Sequence, residues 1–430
     1  MSDASNAAEP TRRLKILITE GSSISARQAI YDLGPRHTID ICDPSRLCQC
    51  RFSRLVRRWH RAPSFTEDPC GFLRFLGKRL SAEPYDVVMP LHDEVFLLSR
   101  VRDELSKRVG IAVPEFSNLE ILQSKIRFHE LLKELDLPQP GADVLADKPE
   151  LDAWTDFPRY VKADYGTASQ AVRLVHDQLE LQAALADFEK HGWWSPGVPI
   201  FLQVPATGNQ FFVRAVFQRG RLVAHHATVM LLRGVGGAAV SKVGVNHPIV
   251  AQHMQRFGER LKWHGVLFCD YFYDEATQTP SYIEANPRIG DSANATFSGV
   301  NLCQQWVDVA MGREVEPLPA ARPGMRSHAA LLILMSKALE GAGRRELWRE
   351  LQRARADTDL YDDSRDELTR PAEDRLSIVP FAWIAGRLLL NPVAAERVVR
   401  STVANYALNT EAAKRIREFP REELAACLNK

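Results

Sequence analysis

The sequence predicts an α/β and α+β chain: a doubly wound parallel sheet first, then lobes built of paired strands, then a mostly helical C-terminal part. Three observations predict it. Short apolar strand patterns alternate with helical patterns up to about residue 115, paired strand patterns fill 157–290, and helical patterns dominate after 325. At 430 residues the length suggests about three domains, and 45% hydrophobic residues suffice for ordinary cores.

Composition excludes several classes of function. The 55 basic and 54 acidic residues leave a net charge of +1, so no global field draws the chain to nucleic acid or an anionic membrane. Small or mixed-charge partners are expected instead. The seven cysteines include no C-x-x-C, and Cys42, Cys48, Cys50 and Cys70 lack matching histidines for zinc, so reduced thiols in the cytosol are expected. Residues 1–13, polar and without an apolar core segment, read as a disordered leader, and no run reaches the ~18 apolar residues of a membrane span. A cytoplasmic protein is the expectation.

Taken in order, LKILITE (14–20) reads as a buried strand, GSS as a turn, and Ala26, Ile30 and Leu33 mark a helix ending at Gly34. HTIDICD (37–43) and YDVVMPLHDE (85–94) read as further strands, with a helix from about Val95. Parallel sheets bind ligands beyond the carboxyl ends of their strands, which makes Glu20–Ser23 and His92–Glu94 a candidate substrate edge. An exposed helix start, with acids favoured by the dipole, is the alternative for His92–Glu94. GSSIS lacks the glycine spacing of a dinucleotide fingerprint. The basic run RFSRLVRRWHR (51–61) reads as a solvated helical face or an anionic-substrate patch rather than a nucleic-acid surface.

Ser117 and Asn118 are candidate caps for a helix from about Leu119 to Leu135, with Lys125 in its first half. FPRYVKADYGTASQAVRLV (157–175) gives a strand ending at Lys162, a small-residue turn and a second strand. Backbone N–H groups in such a turn can approach phosphate oxygens, and a lysine offers them a mobile charge. Next come a helix (177–191), strand–turn–strand over 200–218, and a strand to Met230 leading into a glycine-rich loop with Arg233. A loop arginine of this kind suits bidentate clamping of a carboxylate or acyl phosphate.

Val266–Tyr273 and Ser281–Ala285 read as a hairpin carrying Asp270, Glu284 and Asn286, with Arg288 just beyond. Three oxygen ligands suit Mg²⁺, which keeps waters and substrate phosphates as its other ligands. The plainer alternative is an edge hairpin with solvated acids, against which stands the cost of an unpaired carboxylate in the apolar run around Asp270. A helix follows Asn301, PLPAARPG (317–324) reads as a linker, and IVPFAWIAGRLLLNP (378–392) as core or subunit interface, with a membrane-surface role as the alternative.

An acid on one strand followed by IEANPR on the next resembles the metal-binding end of the ATP-grasp superfamily. The resemblance implies a pre-ATP-grasp domain (14–115), small and large ATP-grasp lobes (116–202 and 203–325) and a mostly helical C-terminal domain (326–430). It further implies that Lys125 and Lys162 contact phosphate or adenine and that the loop at Gly166 covers the triphosphate. Gln203 and the backbone from Val204 to Ala206 would face adenine, and Gln210 ribose. The sequence departs from the family in having one glycine in the phosphate loop and glutamines where acids are usual in the hinge. The implied activity is an ATP- and Mg-dependent ligase, Mn substituting for Mg. It would join a small-molecule carboxylate, activated as an acyl phosphate, to an amine or thiol. Asp270, Glu284 and Asn286 would hold the metal, while Arg288, Lys162 and Arg233 would be catalytic. A homodimer is the expected assembly. The alternatives are an ATP-dependent carboxylase or carbamoylating enzyme, and a non-catalytic ATP-binding regulator.

Overall fold

A computed structural model of the chain describes residues 12–165, 171–403, 407–408 and 410–429. The N-terminal sheet contains β1 (Lys15–Ile18), β2 (Thr38–Asp43), β3 (Val56–Arg61) and β4 (Val87–Met89), all parallel, in the order β3-β2-β1-β4. Its alternating residues feed two cores. Leu17 and Val88 pack with Phe72, Leu73 and Leu76 of the helix Pro69–Ala82 on one face. Ile16, Ile18, Ile39 and Ile41 pack with Ala29, Ile30 and Leu33 of the helix Ile24–Leu33 on the other. The doubly wound expectation holds. The basic run 51–61 is a correction: its second half is not a helical face but the edge strand β3, where Arg57 pairs with buried Asp40 and with Glu83. Of the expected leader, Arg12 pairs with Asp86 at 2.9 Å and Arg13 donates to the His37 carbonyl at 3.2 Å; residues 1–11 lie outside the described residues.

The expected helix 119–135 is two helices, Phe116–Gln123 and Lys125–Glu134, broken at Ser124. Ser124, rather than Ser117 or Asn118, is the cap: its hydroxyl accepts from the Arg127 amide at 3.1 Å and donates to Asp164 at 2.6 Å. Lys125 therefore opens the second helix. A four-stranded antiparallel sheet follows: β5 (Ala142–Leu145), β6 (Arg159–Ala163), β7 (Val172–Val175) and β8 (Ile200–Gln203), in the order β5-β8-β6-β7.

The third sheet has seven strands: β9 (Asn209–Gln218), β10 (Arg221–Arg233), β11 (Ala239–Val245), β12 (Gly265–Asp274), β13 (Thr279–Asn286), β14 (Arg326–His328) and β15 (Ser364–Asp366), in the order β13-β12-β9-β10-β11-β14-β15. β8 and β9 thus form no hairpin; residues 204–208 carry the chain from one sheet to the other. One face of the large sheet is apolar, Phe211, Val213, Ala215, Leu267, Cys269 and Tyr271 packing on the helix Pro248–Leu261. The opposite face packs Val216, Ala224 and Val266 into the second core and carries the charged side chains of the site described below.

The sheet continues past residue 325 through β14 and β15, and the helices Ala330–Leu339, Arg344–Ala356 and Ile378–Leu390 share a core beyond it. Within the 378–392 stretch only Ala385 and Leu388 are buried, while Trp383 and Leu390 are exposed. The last two helices, Thr410–Glu418 and Arg421–Asn429, return to the N-terminal domain, where Ile416, Leu424 and Leu428 join its core. A Cys70–Cys427 disulfide fastens them there, correcting the expectation of reduced thiols throughout; Cys42, Cys48, Cys50, Cys269 and Cys303 are free and buried. No helix among the described residues is long and apolar enough to cross a membrane.

Candidate active site

Cross-strand partners share a face of a sheet, so register alone assembles most of the site. Asp270 lies opposite Glu284, and Phe268 opposite Asn286, across β12 and β13. On the far side of β12, Phe212 faces Asp270 and Arg214 faces Phe268. Glu284 is partly exposed, Asn286 is buried, and the Asp270 Oδ1 atom is fully buried with no hydrogen-bond partner. Burial, and after it the charge of Glu284, push Asp270 up to about 8. Two carboxylates set side by side, one with an orphaned oxygen, fit a divalent cation, which would supply the missing partner and relieve their repulsion. The set depends on the Asn286 amide: among the described residues no trio of His, Cys, Asp and Glu is arranged to hold a metal.

The four-stranded sheet and the helix before it bring two lysines to these acids. Lys125 Nζ lies 4.0 Å from Glu284, its position fixed because the chain at the Ser124 break is anchored to Asp164, which accepts from the Ile126 amide at 3.0 Å. Lys162, on β6, is buried and donates to Gln203 Oε1 at 2.6 Å. Burial pulls Lys162 down to about 8, against the opposing charge of Glu284. Gln203 ends β8, and the following Val204 amide donates to the Gly141 carbonyl at 2.8 Å; Val204 and Ala206 lie on the inter-sheet linker, partly exposed. Gln210, the second residue of β9, accepts from Arg233 at 2.5 Å. Arg233 is exposed at the end of β10 rather than within the glycine loop, so the structure places it beside the hinge. Gly166 lies outside the described residues.

Arg288 meets the N-terminal domain. Its guanidinium donates to Asp93 Oδ1 at 2.5 Å, and the other Asp93 oxygen accepts from the Leu408 amide at 2.8 Å. Burial raises the carboxyl of Asp93, but Arg288 and His92 together pull it well below the usual carboxylate range. His92–Glu94 are thus buried beside the site rather than an exposed helix start. The other half of the substrate edge is closed by its own contacts: Glu20 accepts from the Ser22 and Ser23 amides, both at 2.9 Å, and Asp43 from the Gly21 amide at 2.9 Å.

The fold recurs in solved structures. The L-amino acid ligase of Bacillus licheniformis superposes with a TM-score of 0.53 at 17% identity, over 71% of this chain and 76% of that one. The biotin carboxylase domain of the Hydrogenobacter thermophilus 2-oxoglutarate carboxylase, solved with MgADP and bicarbonate, gives 0.57 at 13% identity, over 73% and 74%. The N5-carboxyaminoimidazole synthetase of Staphylococcus aureus, complexed with ADP, gives 0.56 at 14%, over 73% and 80%. The chain has the ATP-grasp fold. No family model matches it. Among curated sequences, the carbamoyl phosphate synthase large chains of Thermoanaerobacter sp. (strain X514) and Caldanaerobacter subterraneus subsp. tengcongensis are 23% and 24% identical over 227 and 233 residues. These stretches cover 49% and 50% of this chain, which spans about a fifth of the length of those relatives.

Two buried cations on the site face of the seven-stranded sheet escaped the sequence reading. Arg214 and Lys242 are both buried, and both pair with Asp291, Arg214 Nε at 3.1 Å. Burial lowers Arg214 to about 10 and Lys242 to about 8, so both are charged at neutral pH. Each is a lone charge at one position of an otherwise apolar strand, VRAVF and VSKVGV, and that signal was available.

Proposed function

We propose that the chain is an ATP- and Mg-dependent ligase that activates a carboxylate as an acyl phosphate and passes the acyl group to an amine. The observation that carries this reading is the convergence of Lys125 and Lys162 from one lobe on the paired acids Asp270 and Glu284 of the other, with Arg288 alongside. A carboxylate oxygen attacks the γ-phosphorus of ATP, the bond from that phosphorus to the ADP oxygen breaks, and ADP leaves. The amine nitrogen then attacks the acyl carbon, phosphate departs with the C–O bond pair, and the amine proton passes to solvent.

Such chemistry asks the protein for positioning and charge neutralisation rather than a covalent nucleophile. Lys162 and Lys125 neutralise phosphate oxygens, Lys162 regaining full charge beside them. Arg288 stabilises charge on the transferring group and on the acyl phosphate. Asp270, Glu284 and Asn286 would hold Mg²⁺, which when bound screens the β- and γ-phosphates. Gln203 and the Val204–Ala206 backbone border adenine, Gln210 borders ribose, and Arg233, bonded to Gln210, guards the same edge. We take 14–115 as the substrate-edge unit, 116–202 and 203–325 as the two nucleotide lobes, and 326–430 as a C-terminal unit, in a cytoplasmic protein that pairs as a homodimer.

The deciding experiment is a screen of carboxylic acids and amines for amine-dependent ADP release, with the product weighed by mass spectrometry. Glu284→Ala and Arg288→Ala should each slow turnover on the order of 10²–10³-fold; wild-type rates in either would end the assignment. A second reading, ATP-dependent carboxylation or carbamoylation, is favoured by the likeness to a biotin carboxylase domain and to carbamoyl phosphate synthases. Bicarbonate-dependent ADP release without an added acid would select it.

A further inference from the structure

Arg288 is held from two directions, and both lead to the C-terminal part of the chain. The first runs through its loop. Three residues beyond Arg288, the Asp291 carboxylate is gripped by Arg214 of β9 and Lys242 of β11. Lys242 also donates to Glu367 at 3.0 Å, and Glu367, just past β15, accepts from Ser327 of β14 at 2.6 Å and from Gln28 at 2.9 Å. Gln28 in turn accepts from the Ala293 amide at 3.0 Å and from the Ser292 amide, closing the circuit on the same loop. The second runs through its head group: the Leu408 amide fixes Asp93, and Asp93 fixes the guanidinium.

We infer that the C-terminal part positions Arg288 for phosphoryl transfer, Glu367 acting through Lys242 and Asp291 on its loop and Leu408 acting through Asp93 on its guanidinium. The inference rests on the ligase reading for what Arg288 does. Charge and burial argue for it. Arg214, Lys242 and Glu367 are buried and Asp291 is mostly so, two cations balancing two carboxylates, so removing one member leaves an uncompensated charge and the loop loses its preferred place. Arg214 and Lys242 lie on the same sheet face as the metal acids yet touch Asp291 rather than open space, which makes them holders of the loop rather than substrate contacts. Glu367, Asp291 and Asp93 are positioning residues.

The test uses the full-length protein and the isosteric variants Glu367→Gln and Asp291→Asn, with Asp93→Asn as the second arm. Each should lower kcat on the order of 10- to 100-fold while the Kd for Mg-ATP stays within about twofold, because the lesion lies in the geometry of one arginine rather than in nucleotide contacts. In an Arg288→Lys background, Glu367→Gln should cost little further, since it acts through a group already removed; a generally damaged protein would show the full loss again. Amide hydrogen exchange over 287–293 should speed up about tenfold or more in Glu367→Gln, with exchange in β9 and β12 unchanged. Wild-type kcat in Glu367→Gln, or a loss fully retained on the Arg288→Lys background, would overturn the inference. A wild-type protein that releases no ADP with any substrate would refute the ligase reading, and the exchange measurement would then decide the clamp: unchanged exchange over 287–293 overturns it.

Discussion

Asp270 and Lys162 show how burial would set the terms on which the proposed nucleotide site binds its ligands. Burial, and after it the charge of Glu284, hold the Asp270 carboxyl up at about 8, so a cation bound there at neutral pH would displace a proton. Mg²⁺ affinity should fall as pH drops below about 8, and calorimetry at pH 7 in buffers of different ionisation enthalpy should register the released proton. Lys162 behaves in the opposite sense. Its folded value of about 8 lies below the ordinary lysine value of 10.5, so the folded protein carries a cost below pH 8 that is relieved as pH rises toward 10.5. Lys162→Met should therefore melt a few degrees higher than wild type at pH 7 without nucleotide, while losing most of the stabilisation that Mg-ATP gives. Glu20 supplies a further case. Burial first, and the charge of Glu94 second, raise it to about 8, so its stabilising contribution is complete below pH 4.5 and lost as pH rises through 8. Glu20→Gln should match wild type near pH 5 and melt higher above pH 8.

Elements decide which of these residues meet. Ser124 breaks one expected helix into two, and in doing so caps the second and ties it to Asp164 at the strand end beyond Lys162. Ser124→Ala should cost about 1–2 kcal/mol in chemical denaturation and raise the KM for ATP through Lys125. The loop after β13 is equally constrained: Gly290 has φ +66°, and a Cβ there would lie 2.8 Å from the Phe268 ring. Gly290→Ala should lower both stability and turnover. Much of this was legible because periodicity is local. β1, β2, β12 and β13 announce themselves by apolar runs and turns, and IEANPR places the acids opposite each other once a hairpin is granted. β3 was misread because VRRWHR interleaves arginines whose partners, Asp40 and Glu83, lie elsewhere in the chain. The break at Ser124 was hidden because serine is tolerated in a helix until Asp164 offers it a better partner. Glu367 was unreadable, since its meaning depends on a lysine 125 residues away.

At the scale of the whole molecule, the chain leaves the N-terminal sheet, builds the four- and seven-stranded sheets and comes back. Arg417 of the returning helix lies 4.9 Å over the ring of Tyr165, just past the end of β6 in the β6–β7 hairpin, and pairs with Glu120 at 2.5 Å. The tail thus touches the N-terminal domain, the hairpin and, through Leu408, the Arg288 anchor. Cys70 and Cys427, 357 residues apart, turn this path into a covalent ring that encloses every residue assigned to the site. A single cut inside a ring separates nothing. A glutamyl endopeptidase acting at exposed Glu314 should leave a product that migrates as one species without reductant and as two with it. The nicked, oxidised protein should keep its lobes apposed and its affinity for Mg-ATP, whereas reduction after nicking should let the halves part.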